Sequence, residues 1–261
     1  MNARQLTLIK KDVCSITANR RTLTAMLLVP IVLAIVLPSI FVIAVVLVPE
    51  KISDFQVLLD MLPITAGTNE QQLVLGLLLN KIMPVFFLMI PIMASSVMAA
   101  SSFVGEKEKR TLETLLYSPL SLKRLFQAKI MAGFVVGMAV SYIAFATMIL
   151  VIEGEMLILT GGSVLPDGSW LIIMLLIAPA ISLAGIAITV RGSAKAQTFE
   201  EAQQCAVFLI FPLLALIIGQ FGGILLINSW LLLGLGIVLV VLDVLLMRGA
   251  ADRFTYENLL K

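Results

Sequence analysis

AQQCAVFLIFPLLALIIGQFGGILLINSWLLLGLGIVLVVL, residues 202–242, contains no Asp, Glu, Lys or Arg. A helix rising about 1.5 Å per residue needs about 20 residues to cross roughly 30 Å of hydrocarbon, and this run is about twice that length. Asn228 and Ser229 offer a turn within it, so the run predicts two membrane helices, about 202–227 and 230–247. Counting it as two rather than one makes the number of crossings even. Both chain ends then lie on the same side.

Four more charge-free runs precede it: Thr22 to Pro49, Ile82 to Gly105, Ile130 to Ile152 and Gly168 to Val190. A charge at the bilayer centre costs about 2.5–3.5 kcal/mol, so each run predicts a span, about 22–49, 82–105, 130–152 and 168–190. Composition agrees, since 60% of residues are hydrophobic and 13% charged, against about 25% charged in a soluble domain. The fold class expected is all-α, a polytopic integral membrane protein with six transmembrane helices. Residues 1–261 form one domain, because the polar stretches are too short to fold separately. The first 22 residues precede an apolar run too long for a signal peptide, so that run is expected to stay as an anchor.

Sixteen of the 18 Lys and Arg residues fall at the two ends or in the loops after spans two and four. Only Lys51 and Lys81 fall on the other side, with Glu50, Asp54, Asp60, Glu70, Glu153, Glu155 and Asp167. The positive-inside rule then places both termini in the cytoplasm, and the membrane expected is the cell's inner (plasma) membrane. A net charge of +2 gives no electrostatic basis for nucleic-acid binding. The absence of histidine removes histidine-ligated metals and histidine-dependent catalytic dyads. Cys14 and Cys205 stand far apart without a CxxC partner and read as free thiols.

Leu6, Ile9, Val13 and Ile16 recur at helical spacing while Arg4, Lys10, Lys11, Asp12 and Arg20 take other faces, which predicts an interfacial helix over residues 1–21. After span two comes GEKEKRTLETLLYSPLSLKRLFQAK, residues 105–129. Glu106 and Arg110 are placed for an i,i+4 ion pair with the acid first. Leu112, Leu115 and Leu116 form an apolar stripe, Pro119 stops the helix, and Ser121 is placed to cap the next one. The result is a helical elbow over 105–128, too small to bury its own leucines, which therefore calls for lipid or a protein to cover them.

That segment closely resembles the signature of ABC type-2 transporter permeases: a mixed acidic and basic stretch, a Thr-Leu-Glu triplet, a Leu-Leu pair, a Ser-Pro pair and a basic helix start. Lys11 to Leu23 looks like the family's N-terminal elbow, and FEEAQQ at 199–204 is similar to the branch containing sodium-extruding Nat permeases. The resemblance implies a half-transporter, in which two permease chains form the path and cytosolic ABC ATPase subunits drive it. It also implies that the elbow is a coupling helix. Carried over residue by residue, Glu106, Glu108, Arg110, Leu112, Glu113, Leu115 and Leu116 are expected to contact the ATPase, while Thr111 and Pro119 shape the elbow. Lys109 and Arg110 depart from the Arg-Gly pair common in the family. Gly219, Gly222 and Gly223 read either as ordinary kinking of span five or as a re-entrant break at an outer gate, which the resemblance also implies. No GxxxxGK[ST] phosphate loop occurs, so ATP and Mg are expected on the partner, with no cofactor on this chain and no enzyme activity of its own.

An ion-coupled secondary transporter is the rival within transport, yet Asp243 is the one carboxylate inside a predicted span, and it reads as interfacial with Arg248 as its partner. Intramembrane proteolysis lacks both a histidine base and a pair of buried carboxylates. A non-transporting membrane subunit is the third reading. Ser95, Ser96, Ser101, Ser102, Ser141, Tyr142, Thr147, Ser182 and Thr189 suit helix joining. Pro30, Pro38, Pro84, Pro91, Pro179 and Pro212 predict kinks. A mostly apolar path suits a peptide, lipid or drug, while the Nat-like resemblance implies sodium.

Overall fold

The computed structural model describes residues 3–18, 20–47, 70–108, 122–193, 196, 198–221 and 229–253. Among them there is no strand. Helix α1 (Ala3–Ala18) is followed by α2 (Arg20–Ile31), which runs through a wide π-helical turn at Val32–Val36 into α3 (Leu37–Leu47). A second rod comprises α4 (Glu70–Leu77), a π turn at Leu78–Ile82, α5 (Met83–Phe87) and α6 (Met89–Glu108). Helix α7 (Leu122–Leu159) is unbroken, and α8 (Ser169–Ile172) passes through a third π turn, Ile173–Ile177, into α9 (Ala178–Ser193). The remaining helices are α10 (Phe199–Val207), α11 (Ile210–Phe221) and α12 (Ser229–Arg253).

Four stretches are long and apolar enough to cross a membrane: Met26–Leu47, Gln71–Gly105, Arg124–Leu159 and Ser169–Ser193. Leu232–Leu246 is a shorter apolar helix. The second and third rods extend beyond their charge-free runs, taking in Lys81 at one end and Glu153 and Glu155 at the other. Glu153 of the third rod and Asn80 of the second bind the far-end loop. Glu153 Oε1 accepts from Ser163 Oγ at 3.2 Å and from the Val164 amide at 3.1 Å. Asn80 Oδ1 accepts from the Asp167 amide at 2.9 Å, and Asp167 Oδ1 accepts from the Ser169 amide at 3.0 Å, starting α8. Gly161, at φ 66°, supplies the left-handed turn that ends α7.

Five of the six prolines expected to kink the spans sit four residues after a helix interruption, whereas Pro30 lies inside α2 with none at Met26. Proline has no N–H to offer the carbonyl four residues earlier, and its ring crowds that carbonyl. Counting back four from Pro38, Pro84 and Pro179 gives Ala34, Asn80 and Leu175, each the central residue of a five-residue π turn. The wider turn moves the carbonyl away from the ring. Counting back from Pro91 and Pro212 gives Phe87 and Phe208, where α5 ends and where the chain passes from α10 to α11. Leu209 N bonds to the Ala206 carbonyl at 3.0 Å, a tightened last turn. Among the described residues the fifth apolar run is therefore divided by Pro212, while Gly219 lies within α11.

Helices α6, α7 and α9 form the centre, and small residues let them meet closely. Ser95 stands at their junction. Its Oγ donates to the carbonyl of Pro91 at 2.6 Å and reaches the Ser182 carbonyl on α9 at 3.2 Å. A Cβ built on Gly137 of α7 would lie 2.8 Å from Ser95 Cβ, and one built on Gly185 of α9 would lie 3.3 Å from Ser95 Oγ. Toward the far end Phe87, Phe145 and Trp170 stack, with ring centroids 4.9 to 5.8 Å apart. The outside is apolar: Leu150 is 73% exposed, and Leu28, Ile143 and Leu175 point outward with it. Such an exterior is matched to a lipid solvent and not to water. This is an all-α membrane protein.

Candidate coupling region at the basic end

The end of the bundle that carries most Lys and Arg is assembled around the last turns of α6. Helix α7 meets it first. Lys129, directly before the charge-free run 130–152, is 2% exposed. A buried ammonium needs polar partners. Its Nζ donates to the Ser102 carbonyl of α6 and stands 5.1 Å from the centroid of the Phe103 ring, a cation–π arrangement. Phe126, one turn earlier on α7, meets Phe103 edge-on at 5.8 Å. Ile130, Ile186 and Val190 complete the cluster, tying α9 to the same place.

Helix α1 covers a second side. Ile9 and Val13, half of the stripe read from sequence, pack with Leu23 against Met26, Val97, Met98 and Ala132. The stripe therefore meets the protein at those two positions. The described side chains Lys10, Lys11 and Arg20 stay on the exposed face.

Helix α10 covers a third side. Thr198 caps it, its Oγ1 accepting from the Glu201 amide at 3.3 Å, and Glu200 and Glu201 occupy the first turn, where carboxylates suit a helix N-terminus. Phe199 and Ala202 then pack on Ala100 and Val104 of α6. Close packing continues to α9, because a Cβ on Gly192 would fall 2.2 Å from Cys205 Sγ.

The last helix is tied on through Arg191 of α9, whose Nη2 donates to the Leu246 carbonyl of α12 at 2.8 Å. Asp243 is 4% exposed. It shares the face of Leu232, Gly236 and Leu239, which α12 turns toward the rod containing α9. The side chain of Arg248 lies outside the described residues.

The structure places Glu106 and Glu108 on the final turn of α6, with their side chains outside the description. Arg110, Thr111, Leu112, Glu113, Leu115, Leu116 and Pro119 lie outside the described residues, as do Gly222 and Gly223. The next described residue is Leu122, the first of α7. What is brought together is the base of the expected elbow: the end of α6 and the start of α7, joined through Lys129. The sequence assigns Lys129 and Arg191 only to the positive charge of the cytoplasmic side. The available signal was spacing, since Phe126, Lys129 and Gly133 share the α7 face that meets α6 and α9.

A family model described as ABC-2 family transporter protein matches residues 6–233. No curated protein and no solved structure matches the chain.

Proposed function

The chain belongs to the ABC-2 family of transporter proteins, and on that premise we propose that it is the permease subunit of an ATP-driven exporter. In this reading it forms the substrate path with a second permease chain and takes its energy from a separate cytosolic ABC ATPase, which holds the ATP and Mg. The termini and the segment after α6 face the cytoplasm, following the distribution of Lys and Arg. Residues 105–128 are the coupling elbow, with Glu106, Glu108, Arg110, Leu112, Glu113, Leu115 and Leu116 toward the ATPase. Gly219, Gly222 and Gly223 belong to the outer gate.

The observation that supports this most is the joint between Lys129 and Ser102. It ties together the two helices that enter and leave the elbow, and α1, α9 and α10 grip the same turns of α6. A push on the elbow is thereby delivered to the α6–α7 pair as a body. From there it reaches the Ser95 junction, where both helices meet α9. Packed elements of this kind shift between discrete arrangements and do not deform gradually. A nucleotide-driven ATPase that binds the two arrangements unequally then shifts the population between them.

The test is affinity capture of the tagged chain from native membranes in mild detergent, beside the double variant Glu106→Lys and Glu108→Lys. The expected result is an ATPase subunit captured with the parent and lost from a variant that still folds. Absence of any ATPase from both samples, under conditions that preserve known complexes, sinks the reading.

A further inference from the structure

We propose that Arg191 and Asp243 form an ion pair in a second arrangement of the seam between α9 and α12, so that the last helix is held by one of two alternative contacts of the same guanidinium. In the arrangement described above, Arg191 Nη2 is committed to the Leu246 carbonyl and its Nε is buried without an acceptor. Both carboxylate oxygens of Asp243 are buried, and neither has a hydrogen-bond partner among the described residues. An unpartnered carboxylate in an apolar seam is unfavourable, and a partner that lies close by in another arrangement gives it a purpose.

The geometry makes that partner specific. Leu246 lies three residues beyond Asp243 on the same face of α12, an axial step of about 4.5 Å. The long, flexible arginine stem spans such a step by changing rotamer. The rod from Ser169 to Ser193, which packs along α12, carries one ionisable side chain, and it is Arg191. That rod also contains the π turn at Ile173–Ile177, and α12 approaches it so closely there that a Cβ on Gly236 would lie 2.6 Å from Leu176 Cδ2. π turns inside helices occur frequently at functional sites. Flexing at Ile173–Ile177 changes the spacing at the Arg191 end while Gly236 keeps the other end of the seam in contact.

The proposal rests on the ATP-driven reading only for what triggers the exchange. Its test is a double-mutant cycle with Arg191→Gln, Asp243→Asn and the double variant, following the melting of the tagged chain. Three settings are compared: the purified chain in lipid nanodiscs, ATP-depleted cells and ATP-replete cells. The expected result is additive shifts in nanodiscs, where the two groups are not paired, and non-additive shifts in ATP-replete cells, with the double variant losing no more than the larger single loss. Additive shifts in every setting overturn the pair, and so does coupling already present in nanodiscs, which would mean a static bridge. A cycle with Arg248→Gln that couples to Asp243 in place of Arg191 overturns it as well. Wild-type melting that ignores ATP depletion counts against the ATP-driven reading and not against the pair, so the two failures are distinguishable.

Discussion

Gly137 of α7 lies so close to Ser95 of α6 that a Cβ added to the glycine would stand 2.8 Å from the serine's own Cβ and 3.2 Å from Ser182 Oγ of α9. Three helices meet at this point because one of them has no side chain there. Gly137→Ala forces a backbone shift costing about 1–3 kcal/mol, more than the roughly 1 kcal/mol that alanine gains over glycine as a helix former. Gly154, on the same helix, has nothing within 4 Å of its built Cβ. Melting of the purified chain in detergent is expected to fall for Gly137→Ala and to hold or rise for Gly154→Ala. Equal behaviour of the two variants would refute the close approach.

Lys129 separates charge from packing. Lys129→Met keeps the stem and removes the ammonium together with its desolvation cost, whereas Lys129→Ala also leaves a cavity. The alanine variant is expected to lose about 2–4 kcal/mol, and the methionine variant less than half of that. Chemical denaturation in mixed micelles measures both. A methionine variant as unstable as the alanine one would mean that the ammonium's contacts with Ser102 and Phe103 dominate.

The far-end loop depends on one carboxylate. Glu153→Ala removes the acceptor for Ser163 Oγ and the Val164 amide, while Glu153→Gln retains an oxygen acceptor. Losing about 1 kcal/mol of hydrogen bonding corresponds to roughly five-fold faster local opening. Hydrogen exchange at Val164 should therefore accelerate in the alanine variant and much less in the glutamine variant. Unchanged exchange in both would show that packing alone holds the loop.

Pro179 is expected to set the wide turn beneath Trp170. Pro179→Ala restores an N–H for the Leu175 carbonyl and permits an ordinary α-turn, which would rotate α8 relative to α9 by about 100°. Trp170 would then leave the stack with Phe87 and Phe145. The only other tryptophan, Trp230, is 80% exposed, so in a Trp230→Phe background the emission reports Trp170 alone. A red-shifted emission is expected on adding Pro179→Ala. Unaltered emission would assign the π turn to surrounding packing.

Much of the architecture was readable along the chain because lipid imposes a one-dimensional rule: a crossing needs a long stretch free of charge, satisfied internally as helix. The runs ending at Pro49, Gly105, Ile152 and Val190 correspond to the four long apolar helices for that reason. The positions of the wide turns were also present in the sequence, four residues before Pro38, Pro84 and Pro179, because the missing N–H and the ring act locally on a neighbouring carbonyl. The pattern of the elbow, from Glu106 to Pro119, likewise pointed to the family that the match over residues 6–233 establishes.

Other features depended on which helices become neighbours. That Lys129 turns inward to the Ser102 carbonyl, and is not simply one more positive charge at a membrane surface, follows from the contact of α7 with α6. Asp243 is buried because α12 lies against the rod of α9 along the face of Leu232, Gly236 and Leu239. Helices continue past their charge-free runs because the loop at 163–167 donates its amides to Glu153 Oε1 and Asn80 Oδ1 at the helix ends. Local sequence determined where this chain is apolar and where proline leaves a helix open to interruption, and packing selected a π turn before Pro38, Pro84 and Pro179 and continuous helix at Pro30. Only tertiary packing decided which charged side chains are enclosed, since enclosure depends on the neighbour's surface and not on the residue's own surroundings along the chain.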